Sequence, residues 1–161
     1  SMCDDRQVQL ASKLIRSAEV RKIRLVLPVD HVVSGNFNDE LGAEVTEGVD
    51  IADNTMGLDI GPKTLELFGA ELQKMETIFW NGPMGVFEKP AFSKGTFGMA
   101  QLIAASTGKK LAGGGDSAAA ISLAGVEAQF DFISTGGGAT LEYLEGQELP
   151  GIKALELPIP G

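Results

Sequence analysis

Two glycine-rich bends are the stretches of this chain best suited to hold an anion. Gly113-Gly-Gly-Asp-Ser117 follows the short apolar run Lys110-Leu-Ala112 and leads into an alanine-rich segment. Three successive residues without a Cβ let the backbone turn sharply and let a ligand approach closely. A helix that starts there presents unpaired N–H groups and a partial positive charge, a setting for phosphate. The gain is modest, about 0.3 to 1 kcal/mol and up to ~2 when partly buried. Asp116 would repel phosphate unless a cation lay between them. It therefore points to Mg²⁺ held jointly by the carboxylate and phosphate oxygens, the usual manner for this ion. The competing reading makes Asp116, or Ser117, simply the N-cap of the helix. Ser134-Thr-Gly-Gly-Gly138-Ala-Thr140 repeats the design without an acid. Its bare N–H groups can face charge that develops on a group in transit between two oxygens. Here the competing reading is a tight turn that needs glycine for its backbone angles alone.

A third segment, Trp80-Asn-Gly-Pro-Met-Gly-Val-Phe-Glu88, mixes turn residues with apolar and acidic ones. Pro83 and Val86 can pack on a flat base, and Glu88 can accept both hydroxyls of a ribose. The same residues also read as a surface loop with Trp80 and Phe87 buried and Glu88 solvated. His31 is the one histidine and reads as a surface or satisfied core residue. Lys63 reads as a solvated charge. No Ser-His-Asp set and no Cys/His cluster of zinc spacing is present. Neither glycine bend matches G-x-x-x-x-G-K-[ST] or G-x-G-x-x-G in full, so a P-loop NTPase and a dinucleotide dehydrogenase are weakly supported.

The elements that must position these bends are short apolar runs alternating with helical patterns. Val8, Ala11, Ile15 and Ala18 share one side of a helix. Strands are predicted at Ile23–Val29, Met56–Ile60, Thr77–Trp80, Lys110–Ala112 and Phe130–Ile133. Helices are predicted at about 64–74, at about 94–106 with Gly108 as its C′ residue, after Gly115, and from the last glycine bend to about Glu145, stopping at Gly146. The acidic stretch from Asn36 to Asn54 reads as a surface connection, and the tail from Leu149 as irregular. Strand and helix in alternation imply a parallel sheet covered on both faces, with ligands at the carboxyl ends of the strands. Three loops rich in glycine follow strands at those ends. No internal repeat or long linker interrupts the pattern.

The 161 residues suit one domain, with 43% hydrophobic and 22% charged residues. A formal net charge of -9 repels nucleic acid and anionic membrane surfaces, so neither is expected as a partner. Any phosphate site must then be local, built from backbone N–H groups or a metal. The lone Cys3 allows no internal disulfide and reads as an incidental thiol. Ser1-Met2 reads as a cloning scar, leaving 3–161 as the stretch expected to fold. No apolar run reaches membrane-spanning length and no signal peptide is evident, so a cytoplasmic setting is the expectation.

Taken in order, Leu27-Pro-Val-Asp30, Gly57-Leu-Asp-Ile-Gly-Pro-Lys-Thr64, Trp80–Glu88, Lys94-Gly-Thr96, Gly113–Ser117 and Ile133-Ser-Thr-Gly-Gly-Gly-Ala139 resemble phosphoglycerate kinase. Leu144-Glu-Gly-Gln-Glu-Leu-Pro-Gly151 fits as well, and the resemblance runs from Val8 to Leu155. It implies an α/β fold: a three-layer αβα, Rossmann-like domain with a mostly parallel sheet, truncated at its N-terminal side. This is part of the carboxyl-terminal, nucleotide-binding half of that enzyme. The family is glycolytic and moves a phosphoryl group between 1,3-bisphosphoglycerate and ADP, giving 3-phosphoglycerate and ATP with Mg²⁺. The resemblance assigns Mg²⁺ to Asp116, nucleotide phosphate to Ser117, and the phosphate loop to Gly114 and Gly115. Gly136, Gly137 and Gly138 would offer N–H groups to the moving phosphoryl. Asn81 and Glu88 would lie by ribose and phosphate, and Pro83 and Val86 by adenine.

Departures accompany these matches. The basic domain that binds phosphoglycerate is absent, with its transfer-site arginine, as is the Gly-Gly-Ala-Lys-Val-Ser loop that supplies lysines. His31 and Ser34-Gly-Asn36 replace the usual residues after Pro-Val-Asp. The chain is thus expected to bind ADP or ATP and to meet 3-phosphoglycerate or 1,3-bisphosphoglycerate only with the missing domain, in an enzyme that is a monomer. Alone it should be inactive. The alternatives are a nucleotide-binding module without catalysis and a truncated fragment that associates with itself through an uncovered apolar face.

Overall fold

The computed structural model describes residues 4–156. They divide into two compact units. The first comprises residues up to Glu71 together with Met84–Met99, and the second comprises Leu72–Pro83 together with residues from Ala100 onward. Ser1, Met2 and Cys3, on which the scar and thiol readings fall, lie outside the described residues.

The first unit opens with α1 (Asp5–Val20), started by a capping box in which Asp4 and Gln7 satisfy each other's backbone N–H. The predicted apolar side is present, yet α1 buries none of its residues, and Val8, Leu10 and Leu14 are more than half exposed. Ile23–Val29 is not a strand. A strand needs a neighbour for its N–H and C=O groups, and this run has no ladder partner among the described residues. The strands that do form are β1 (His31–Ser34), β2 (Glu44–Val45) and β3 (Met56–Ile60). They make an antiparallel sheet in the order β2-β1-β3. So β3 lies where the sequence put it but pairs antiparallel, and the stretch read as a mere connection contributes β2.

Helix α2 (Pro62–Leu72) follows β3. Its start is fixed from a distance. The Asp30 carboxylate accepts the Lys63 and Thr64 N–H groups at 3.0 and 2.7 Å, and the Thr64 hydroxyl at 2.6 Å. Thr64 Oγ1 in turn accepts the Val29 and Asp30 N–H groups at 2.9 and 3.0 Å. Both side chains are fully buried. The apolar core of this unit is Val33, Leu58, Ile60, Phe87, Phe92 and Met99. Phe87 meets Phe97 edge-on at 6.5 Å, a favoured aromatic geometry.

The second unit carries the predicted parallel arrangement, which makes the chain an α/β protein. Strands β4 (Thr77–Asn81), β5 (Lys109–Gly113) and β6 (Phe132–Ser134) lie parallel in the order β4-β5-β6. Helices α4 (Gly115–Leu123) and α5 (Gly137–Leu144) follow β5 and β6. The core is Ile78, Trp80, Ala100, Ile103, Ala112, Ala120 and Ile121. Helix α3 (Lys94–Ala104) precedes β5. Gly108 is not its C′ residue: no left-handed φ is found there, and a Cβ would lie 2.4 Å from the Met75 carbonyl oxygen. Its small size serves a close backbone approach. Gly146 does stop α5 as predicted, at φ 82, with the Gln147 N–H reaching back to the Glu142 carbonyl. The tail is not wholly irregular, since Pro150–Glu156 forms α6. Its residues from Leu157 lie outside the described residues.

Candidate functional site

Register brings the predicted loops of the second unit abreast. Asn81 at the end of β4 pairs with Gly113 of β5, and Gly113 pairs with Ser134 of β6. All three strands therefore expire in one row, and their loops leave side by side at the carboxyl edge, where parallel sheets hold ligands.

Glycine is required in that row by contact. A Cβ on Gly113 would lie 2.8 Å from the Phe79 ring. A Cβ on Gly137 would lie 2.7 Å from Gly114 Cα and 3.1 Å from its nitrogen. The two glycine bends thus touch backbone to backbone. Gly114 also has φ 97, a conformation that L side chains rarely adopt, and it is the N-cap of α4. The helix starts earlier than the sequence reading allowed, so neither Asp116 nor Ser117 is the N-cap. Asp116 stands exposed in the first turn of α4, beside Gly115.

Ser117 is fully buried, and its Oγ accepts the Gly82 N–H at 2.7 Å. It joins the start of α4 to the bend after β4. The Gly114 N–H donates to the Ser134 carbonyl at 2.9 Å. Ser134 and Thr140 lace the last bend: their hydroxyl oxygens are 3.0 Å apart, Ser134 Oγ accepts the Gly136 N–H at 3.2 Å, and the Thr140 hydroxyl donates to the Gly136 carbonyl at 3.0 Å. Gly136 is thus engaged within its own turn, while Gly137 and Gly138 occupy the first turn of α5, where N–H groups lack intrahelical acceptors. The bracing hydroxyls of Ser134 and Thr140 were not singled out in sequence. Their signal is a Ser and a Thr flanking three glycines.

The structure gathers Asn81, Gly114, Gly115, Asp116, Ser117 and Gly136–Gly138 in the second unit, with Pro83 at the end of its first segment. Val86 and Glu88 belong to the first unit. There the Val86 N–H donates to the Leu58 carbonyl at 2.9 Å, and Glu88 is exposed. Trp80 and Phe87 are buried, as the surface-loop reading has them, with Trp80 tilted against Phe130 at 6.5 Å. Among the described residues no three His, Cys, Asp or Glu side chains converge as a metal site, and no helix is long and apolar enough to cross a membrane. A cation at Asp116 would therefore draw its other ligands from phosphate oxygens and water. A carboxylate exposed in the first turn of a helix fits that use.

The family model described as phosphoglycerate kinase matches residues 1–147. Phosphoglycerate kinase of Bdellovibrio bacteriovorus is 49% identical over 159 residues, covering 99% of this chain and 40% of that protein. The phosphoglycerate kinase of Gloeobacter violaceus is 51% identical over 149 residues, 92% of this chain and 37% of that protein. Among solved structures, phosphoglycerate kinase from Coxiella burnetii superposes with a TM-score of 0.87 at 39% identity, over 96% of this chain and 40% of that one. That from Pyrococcus horikoshii gives 0.74 at 32% identity, over 94% and 38%. The chain thus spans about 40% of the length of the relatives it matches. By model, sequence and superposition together, the chain belongs to the phosphoglycerate kinase family.

Proposed function

We propose that this chain binds the phosphates of ADP or ATP on the row of bends after β4, β5 and β6. In a complete enzyme it would serve transfer of a phosphoryl group between 1,3-bisphosphoglycerate and ADP. One observation carries the reading: the Gly114 and Gly137 backbones are in direct contact, so two helix starts converge where no side chain can intrude. Two first turns then offer N–H groups to one polyanion. In this reading Gly115 and Asp116 border the phosphates, and Asp116 holds Mg²⁺ together with phosphate oxygens. Gly137 and Gly138 donate N–H to the phosphoryl in transit. Ser117 keeps the Gly82 bend in place. Asn81 faces ribose and phosphate. By family resemblance Pro83 contacts adenine. Mg²⁺, when bound, offsets negative charge on the phosphates.

In this reading the chain supplies the nucleotide side of that transfer. The test is calorimetric titration of ADP with and without Mg²⁺. Wild type should bind more tightly with Mg²⁺, and Asp116→Ala should bind equally in both conditions. Unchanged Mg²⁺ dependence in the variant refutes the metal role, and no ADP binding by wild type refutes the reading.

A further inference from the structure

A cavity of about 390 Å³ in the first unit is left unused by the function above. All of its lining residues belong to that unit. Val32 of β1 lies directly opposite Val45 of β2 on one side and Asp59 of β3 on the other, so the three side chains share one face of the sheet. That face looks toward the start of α3. The buried Asp59 carboxylate accepts the Gly95 N–H at 2.7 Å and the Ile60 N–H at 2.9 Å. Val32 and Val45 line the cavity together with Ile60 and with Leu65 of α2. Ala43 and Ala91 add only methyl groups, which leaves room between the β1–β2 hairpin and the two helix starts. Lys94, the first residue of α3, is the one charged residue of the lining and is exposed. No carboxylate pairs with it among the described residues. Asp59 is occupied by its two amides, and Glu40 accepts the Ala91 N–H at 3.2 Å.

We propose that this cavity is a second ligand site, taking a compact apolar monocarboxylate. The hydrocarbon body lies among Val32, Val45 and Leu65, and the carboxylate meets the Lys94 ammonium. The site shares no residue with the glycine bends, so the inference stands apart from the nucleotide reading.

The lining selects this class by its chemistry. Small-molecule pockets are mainly apolar, with few polar groups that fix orientation, and the volume here falls in their range. An apolar body gains by leaving water for the valines and the leucine. A single free ammonium favours one negative charge and repels a cation. A phosphate ester or a sugar would give up many water contacts, and the lining offers no other polar side chain to replace them. One charge on an apolar body is what remains. Lys63, the other lysine near the start of α2, is already engaged, donating to the Glu47 carbonyl at 3.0 Å.

The test is NMR titration of the methyl-labelled chain at neutral pH with cyclohexanecarboxylate, beside its neutral isostere cyclohexanecarboxamide. Shifts should centre on the Val32, Val45 and Leu65 methyls, with a Kd on the order of 1 to 10 mM for so small a molecule. Wild type should prefer the acid by about twofold to fivefold, the size of one solvent-facing ion pair. Lys94→Gln, a change at an exposed position, should bind both molecules equally, and Lys63→Gln should keep the preference. Three results on wild type overturn the proposal without needing a folded variant: no shifts, shifts centred on other exposed apolar residues such as Leu141 and Leu155, or equal affinity for acid and amide. A preference for the acid that survives Lys94→Gln overturns it as well. Because no nucleotide is present, none of these outcomes bears on the glycine bends.

Discussion

Adding a single methyl group at Gly137 should damage the chain, although the same change one residue later should help it. Gly137 and Gly138 both lie in the first turn of α5. An alanine Cβ at 137 would sit 2.7 Å from Gly114 Cα and 3.1 Å from its nitrogen, and these are backbone atoms that cannot swing aside. Overpacking of this kind costs about 1 to 3 kcal/mol. Replacing a helical glycine returns about 0.5 to 1 kcal/mol through lost freedom of the unfolded chain. The net cost is about 0.5 to 2 kcal/mol, or a drop in Tm of about 1 to 8 °C for a chain of this size. At Gly138 nothing lies within 4 Å of the added Cβ. There only the gain remains, and Tm should rise by about 1 to 4 °C. Paired thermal melts followed by circular dichroism are the assay. Trp80, the single tryptophan, adjoins the Asn81 bend and reports local change by fluorescence. A Gly137→Ala variant melting at or above wild type would mean the two bends are not in contact, and the proposed phosphate cradle would go with them.

Two further substitutions test the bracing side chains. Ser117→Ala removes the acceptor of the Gly82 N–H and should destabilise the chain by about 1 to 3 kcal/mol in urea unfolding; no change would show that the hydroxyl is turned elsewhere. Thr64→Val keeps shape but strands the Val29 and Asp30 N–H groups, for a cost of about 3 kcal/mol. Burial alone would raise the Asp30 carboxyl, yet the Thr64 hydroxyl, the Lys63 and Thr64 amides and the Lys63 charge together hold it below its ordinary value. Stability from charged Asp30 is thus complete above 3.8 and lost as pH falls through the lowered value. In Thr64→Val that acid loss should begin at higher pH, and an unshifted acid midpoint would contradict the network.

The chain's own residues already marked the glycine bends, because a run of three residues without Cβ after an apolar strand is a local signal that survives any packing. Strands β3, β4 and β5 were also legible, since each is a short apolar run closed by a turn residue. Ile23–Val29 carried the same signal and is no strand, because pairing depends on a partner that local pattern cannot supply. The same limit hid the antiparallel course of β3 beside β1. Nor could spacing show that Ser117 turns inward to Gly82, or that the Asp30 and Asp59 carboxylates accept N–H groups in the first turns of helices beginning 32 and 35 residues further on. An acid inside an apolar run was the only hint. Sequence therefore settled which residues are able to line a phosphate site, since that depends on side chains being small or charged. Tertiary structure settled which of them meet, since register alone set Asn81, Gly113 and Ser134 in one row.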